Sequence, residues 1–248
     1  MTVLYFHQRR IIMTVKHSIT EKKQQSDGIG LYFKRIFGLM TAAVGATALT
    51  TFIMLVSGAW TRLISNGGVS GTYYLIVFGG LALSIWAQVR AFSMRPRSAM
   101  WLLFLYSILM GIVITPLILV SSPISILLAI VLAAVMFGCM TLFGYKTVKD
   151  LSFLGAFLFL GMIGLILVGV VSMFIPLGST FSTIVCLIGV LVFALFAAYD
   201  MQNLKNAYYT LGANENTRNQ LAVLGALHMY ISFIALFEYI LSLLNSRN

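Results

Sequence analysis

Charged residues are scarce in this chain of 248 residues: they make up only 9% of it, whereas 60% of the residues are hydrophobic. A soluble domain normally carries about 25% charged residues. So few charges cannot cover a surface that faces water, which excludes an ordinary soluble protein and predicts one whose main solvent is lipid. Residues 1–35 also lack an apolar stretch ending in small residues, so we expect no secretory signal there.

Cysteine is rare as well. Cys139 and Cys186 both lie within apolar runs and lack the spacing of a disulfide framework or a metal site, so we interpret them as packing residues. Met136, Cys139 and Met140 share one helical face that offers soft ligands to a metal, but adaptable core packing is the favoured interpretation. We therefore predict no metal site and no cofactor.

Long hydrophobic runs fill most of the chain. Each is about long enough to cross a hydrocarbon core of ~30 Å as a helix. Only helices suit such runs, because every backbone polar group must be bonded within its own segment. The segments are residues 36–58, 73–90, 99–120, 124–145, 151–175, 180–204 and 221–244. The sequence thus predicts an all-α polytopic membrane protein with seven transmembrane helices over residues 36–248.

The N-terminal segment has a different composition. Residues 1–35 are basic, and residues 16–27 (KHSITEKKQQSD) are polar, which is typical of disorder. We therefore predict a flexible basic tail over residues 1–35. Met13 is an alternative start, because the residues before it show no structural pattern.

Positive charge alternates between the predicted loops. Fourteen of the 16 Lys and Arg residues lie in the N-terminal segment and in the second, fourth and sixth loops, against two, Arg62 and Arg247, on the other side. By the positive-inside rule, the N-terminus is cytoplasmic and the C-terminus lies outside. The net charge of +10 is thereby explained by topology, and we predict no nucleic-acid partner.

Ionisable side chains within the apolar segments are the candidate functional residues, because burying a charge in the membrane costs roughly 2.5–3.5 kcal/mol. They are Arg90, Asp200, His228 and Glu238. Asp200 is either an interfacial carboxylate, solvated or paired with Lys205, or a residue more than one turn inside the membrane. Arg90 either extends to lipid phosphates or turns inward to pair with Asp200.

Enzymatic sites are not indicated. His228 and Ser232 lie one helical turn apart, as a base and a nucleophile would, but no oxyanion hole or Gly-rich setting accompanies them. The last helix has no lysine for a retinal Schiff base. Glu238 is about 15 Å along the helix from His228, too far to share a site with Asp200. We therefore predict that the protein is not an enzyme.

Two segments of the chain resemble a known family. The run Phe137–Gly155 (FGCMTLFGYKTVKDLSFLG) and residues 198–206 (AYDMQNLKN) together resemble the Bax inhibitor-1 (transmembrane Bax inhibitor motif) family, and its bacterial YbhL/YccA branch most closely. The resemblance extends from about Arg35 to the C-terminus. It implies a seven-helix bundle with the last helix at its centre.

The resemblance also implies a function. Members of the family are associated with a pH-sensitive calcium leak through a pair of aspartates, with an arginine of the second helix as a latch. Asp200 matches the aspartate of the sixth helix, and Arg90 matches the latch. The second aspartate is Ser232 here, and a family asparagine is Ala235. A single carboxylate implies a degenerate pH sensor and only weak calcium binding.

Two functions remain open at this point. The first is a cation leak in the bacterial inner membrane, with calcium as an ion and Asp200 as the controlling group. The second, also implied by the resemblance, is a non-conducting regulator of a membrane-embedded AAA protease, engaged through a flexible N-terminal tail. The partners are then the lipid bilayer together with either cations or a membrane protease, in a setting of stress response.

Overall fold

The structure is a computed structural model in which not every residue is described. Its backbone is described for residues 2–62, 64–65, 68–90, 95–172, 174–175, 178–211 and 214–246. Side chains are described for residues 28–62, 70–83, 95, 97–172, 174–175, 178–211 and 214–246. All statements about contacts below concern these residues.

Seven α-helices make up the described backbone. They are α1 (Thr2–Val56), α2 (Gly71–Arg90), α3 (Pro96–Val120), α4 (Pro123–Lys146), α5 (Ser152–Ser172), α6 (Ser179–Leu211) and α7 (Glu215–Asn245). Between α1 and α2 lie a short 3₁₀ turn, Ala59–Arg62, and a two-residue antiparallel pairing of Ile64–Ser65 with Gly68–Val69. The all-α class predicted from the sequence is confirmed.

Six of these helices contain stretches long and apolar enough to cross a membrane; they lie in α1 and in α3 to α7. In α2 the apolar part found among the described residues is shorter, Gly71–Leu83. Proline begins α3 and α4, where its missing N–H costs nothing because the first turn has no partner for it. The chain is therefore a polytopic membrane protein, as its hydropathy predicts.

The last helix lies at the centre of the bundle. It packs against α1, α3, α4 and α6, and 72% of its most apolar stretch is buried, against 11% for α5. The same stretch of α7 has a mean hydropathy of 1.8, whereas that of α5 is 2.7. A helix shielded from lipid by its neighbours can carry more polar residues than one that faces lipid. The central position expected for the last helix is therefore confirmed.

The first helix begins ahead of the first predicted membrane segment, and the flexible tail expected over residues 1–35 stays a prediction. The backbone of Thr2–Val56 is one continuous helix, and Ile29, Tyr32 and Phe33 belong to the hydrophobic core. These three residues repeat at helical spacing on one face, where the Tyr32 ring packs against Tyr208 of α6 and the Phe33 ring against Tyr145 of α4. The packed bundle thus begins before residue 36.

Several basic segments lie together at one end of the bundle. Arg35 of α1 hydrogen-bonds Asn219 near the start of α7, and Lys205 of α6 donates to the carbonyl oxygen of Tyr145 at the end of α4, at 2.9 Å. The start of the packed part of α1, the α4–α5 connection and the α6–α7 connection are therefore neighbours. This clustering agrees with the alternation of positive charge in the sequence.

Candidate functional site

The candidate site is a hydrogen-bonded pair on the two helices that pack most extensively. Ser232 Oγ of α7 donates to Asp200 Oδ2 of α6 at 2.8 Å. Both residues are buried, with 8% of Asp200 and 4% of Ser232 exposed. The structure thus brings together two residues that lie 32 positions apart and that the sequence analysis had assigned to one site.

Two cavities meet at this pair. A small one is lined by Asp200, Ser232 and His228 together with four apolar residues, Met162, Phe193, Phe196 and Ile231. A larger one, of about 520 Å³, lies between α5, α6 and α7 and extends toward the α6–α7 connection. Asp200 and His228 line both cavities. The carboxylate therefore lies at the junction of the two spaces.

Asn203 and Tyr199 add polar atoms to the larger cavity. The sequence analysis did not single out either residue as functional. Asn203 lies three residues after Asp200, on the same face of α6, so helical spacing alone was a signal that could have identified it. The cavity wall is otherwise mostly apolar, and this concentrates the polar contacts near Asp200.

His228 lies near Ser232 but is not its hydrogen-bond partner among the described residues. The Ser232 hydroxyl donates its proton to Asp200, and within the described part of the chain no hydrogen bond joins His228 to Ser232. The imidazole instead borders both cavities beside the carboxylate. This arrangement gives no geometric support to a hydrolase.

Lys205 is not the partner of Asp200. Its ammonium donates to the Tyr145 carbonyl oxygen and lies 5.3 Å from the centre of the Tyr145 ring. The Lys205 side chain reaches the carboxyl end of α4, where it satisfies a backbone carbonyl that α4 itself leaves without a partner. The interpretation of Asp200 as one half of an interfacial pair with Lys205 is therefore wrong.

Two further predicted residues, Arg90 and Glu238, do not line the cavities among the described residues. Arg90 is the last residue of α2, and its side chain lies outside the described residues, so its pairing with Asp200 stays a prediction. Glu238 lines neither cavity; it lies within electrostatic range of Tyr73 of α2 and of Tyr230 and Tyr239 of its own helix. Glu238 is thus separate from Asp200, as helical spacing predicts.

The two sequence motifs meet beside Asp200. Gly144 of α4 lies against the backbone of Ala198, where a Cβ would overlap the Ala198 carbonyl oxygen. Gly155 of α5 lies against the Tyr199 ring in the same way, with a Cβ 2.5 Å from its hydroxyl oxygen. The motif glycines therefore allow α4 and α5 to approach the segment of α6 that carries Asp200.

Gln202 of α6 forms two hydrogen bonds with the α4–α5 connection. Its Oε1 accepts a hydrogen bond from the Leu151 N–H, and its Nε2 donates to the Lys149 carbonyl oxygen, both at 2.8 Å. In the same connection, hydrogen bonds from Ser152 hold the pKa of the exposed Asp150 below its usual range. Gln202 thus has a structural role within the second motif, whereas Tyr199, Asp200 and Asn203 line the larger cavity.

The pair offers few ligands to a cation. Among the described residues, no three His, Cys, Asp or Glu side chains are grouped so that they could hold a metal ion. A calcium ion in a stable site takes 6–8 oxygen ligands. Asp200 and Ser232 supply a carboxylate and a hydroxyl, which suit a hard cation that is held briefly and weakly.

Comparison with known proteins gives consistent relationships along nearly the whole chain. The family model described as "Inhibitor of apoptosis-promoting Bax1" matches residues 30–248. The chain is 31% identical to the inner membrane protein YbhL of Escherichia coli (strain K12), over 90% of this chain and 95% of YbhL. It is 30% identical to a protein of Rickettsia prowazekii over 92% of this chain and 94% of that protein. It is 33% identical to a protein of Caulobacter vibrioides over 86% of each.

Proposed function

Because the chain belongs to the Bax inhibitor-1 family, we propose that it forms a leak pathway for cations, including calcium, that passes the carboxylate of Asp200. The observation that carries this proposal is the position of Asp200 at the junction of two cavities. A buried ionisable group beside a cavity within a membrane bundle is a typical mark of an ion pathway. The bacterial inner membrane, the location in the printed name of the relative YbhL, is the proposed setting.

Weak coordination of a cation by Asp200 and its neighbours favours passage of the ion over its retention at the site. An ion crosses a channel when each site binds it strongly enough to admit it and weakly enough to release it. Asp200 provides one negative charge, Ser232 a hydroxyl oxygen, and Asn203 an amide oxygen on the wall of the larger cavity. Without a second carboxylate, a divalent ion would not be held as in a storage site.

The test is calcium influx into vesicles that contain the purified protein and a trapped calcium dye. We expect Asp200→Asn to lower the influx at least about tenfold, because the carboxylate that lines both cavities among the described residues loses its charge. Asp150→Asn is the matched control: it makes the same chemical change at an exposed residue and should leave the influx unchanged. No influx through the native protein, or equal influx through Asp200→Asn, would show that the proposal is wrong.

Regulation of a membrane-embedded protease is the alternative function, and it rests on an unstructured N-terminal handle. A native protein that alters proteolysis by a membrane protease while it conducts no ions would support this alternative. The vesicle experiment therefore separates the two functions.

A further inference from the structure

A third cavity, of about 180 Å³, lies away from Asp200, where α1 meets the first turns of α7. It belongs to the end of the bundle that carries the basic connections and that the charge pattern assigns to the cytoplasm. It is lined by Gly28, Leu31, Tyr32, Arg35, Glu215, Arg218, Asn219 and Ala222. Nothing in the leak pathway uses these residues.

Two guanidinium groups face this cavity. Arg35 donates one hydrogen bond to Asn219 Oδ1, and Arg218 extends toward α1, with Nη1 3.8 Å from the place that a Cβ of Gly28 would take. Each guanidinium has five N–H donors, so the bond to Asn219 leaves most of them available. Glu215 supplies the one acidic side chain of the lining, and within the described part of the chain it forms no ion pair with either arginine. The lining therefore keeps a net positive charge.

Tyr32 gives independent evidence for a polar ligand. Its side chain is 4% exposed, and its hydroxyl is the one buried side-chain oxygen or nitrogen without a hydrogen-bond partner among the described residues. Its ring packs against Phe33 and Tyr208, which fixes its position. A buried hydroxyl without a partner is unfavourable, so a lining residue with such a group calls for an acceptor from outside the chain.

We propose that this cavity binds a phosphate group, with Arg35, Arg218 and the Tyr32 hydroxyl as its donors. Arginine suits this chemistry because its planar fork matches two oxygens of one phosphate. A phosphate group reaches the cavity from one of two sources, an anionic phospholipid headgroup or a soluble phosphate. The cavity lies at the start of membrane-spanning helices, a position where basic side chains meet headgroups.

The experiment uses the full-length protein in a neutral detergent and follows its melting temperature. One arm adds short-chain phosphatidylglycerol, with phosphatidylcholine at the same concentration as the control for general lipid effects. The other arm adds inorganic phosphate, with chloride at the same ionic strength as the control. A rise in melting temperature with phosphatidylglycerol alone identifies the lipid source, and a rise with inorganic phosphate identifies a soluble source. Both results support the site.

Variants locate the binding. Arg218→Gln and Arg35→Gln should each raise the ligand concentration for half of the stabilisation about tenfold, since each removes a charged hydrogen-bond donor. Lys34→Gln is the matched control, because it removes one positive charge from an exposed residue of α1 outside the lining. This control should leave the response unchanged.

Tyr32→Phe separates ligand binding from a purely structural role. It keeps the ring and removes the unpartnered hydroxyl, so without ligand the protein should melt at the same or a higher temperature. With ligand, the required concentration should rise about threefold or more. A structural hydroxyl would instead give a less stable protein in both conditions.

Three results would overturn the proposal. The first is no stabilisation by either phosphatidylglycerol or inorganic phosphate. The second is an equal loss of response in Lys34→Gln and Arg218→Gln, which would show diffuse attraction to the basic surface. The third is an unchanged ligand response in both arginine variants.

Discussion

The hydroxyl of Ser232 donates its hydrogen bond to Asp200 across the contact between the two helices α6 and α7, at 2.8 Å. The resemblance to the Bax inhibitor-1 family places a second carboxylate at residue 232, and this chain has a hydroxyl there instead. The resemblance therefore implies one negative charge fewer at this contact than in members with both carboxylates.

The first prediction concerns the close approach of α4 and α6. Gly144→Ala should destabilise the protein by about 1–3 kcal/mol or more, because the new methyl overlaps the Ala198 carbonyl oxygen and the helices must move apart. Gly138→Ala on the same helix is the control, since its Cβ would meet nothing within 4 Å. Melting temperatures of the two variants in detergent measure the difference, and equal values would contradict the packing described here.

The second prediction concerns the connection between α4 and α5. Gln202→Leu should lower the free energy of unfolding by about 1–3 kcal/mol, because the Leu151 N–H and the Lys149 carbonyl oxygen lose their partner. Asn206→Ala, an exposed residue one turn further along α6, should have little effect. Protease cleavage within residues 147–151 should also become faster in Gln202→Leu, and an unchanged cleavage rate would show that the connection is held by other contacts.

How well the sequence predicts a part of this structure depends on whether its residues contact lipid or other residues of the protein. Hydropathy located the helices because lipid requires long apolar stretches. It did not extend α6 to Leu211 or begin the packed part of α1 before residue 36, since these turns carry exposed polar residues and bury only a few side chains, such as Tyr32 and Tyr208. It also could not show that the partner of Lys205 is the Tyr145 carbonyl oxygen, because that contact depends on which helices are adjacent.

The family resemblance assigned Ser232 and Asp200 to one site, and in the structure a hydrogen bond joins the two side chains. Helical periodicity alone could not have paired them, because it gives the face of a residue but not the neighbour of that face. For the same reason, no motif in the sequence indicated the third cavity, which Tyr32 lines. The cavity is formed by two segments that are distant in the chain, the start of the packed part of α1 and the start of α7, which only the fold brings together.

The third prediction concerns topology. Reporter fusions should place the loops at residues 91–98 and 206–218 in the cytoplasm and Asn248 outside, because fourteen of the 16 basic residues lie on one predicted side. A fusion at residue 66, in the first loop, should report the outer side and serves as the internal control. A cytoplasmic C-terminus would mean that one apolar segment does not span the membrane.

The fourth prediction concerns a salt bridge between Arg90 and Asp200. Removing one partner of a fully buried pair leaves an uncompensated charge, which commonly costs about 3–5 kcal/mol. Arg90→Ala and Asp200→Asn should each lower the melting temperature, and the double variant should lose less than the sum of the two losses. Strictly additive losses would show that the two residues do not interact.

The last prediction restores the second carboxylate. In Ser232→Asp, two carboxylates would lie at hydrogen-bond distance across the contact between α6 and α7. Two such groups share a proton and titrate as a pair, so the charge of the site would change in two steps with pH. The variant should therefore bind divalent cations more strongly and show a pH dependence of flux near neutrality that the native protein lacks or shows weakly.

Calcium influx into vesicles at pH 6, 7 and 8 measures this difference between the native protein and Ser232→Asp. Ser232→Asn is the matched control, because it has almost the same shape as aspartate but carries no charge and does not titrate. A pH dependence in Ser232→Asp that is absent from Ser232→Asn would assign the effect to the second carboxylate. If the native protein already showed the steep pH response and the aspartate changed nothing, the sensor would have to be another titratable group. His228 would be the first to examine, since it lines both cavities beside Asp200, and Glu238 would follow.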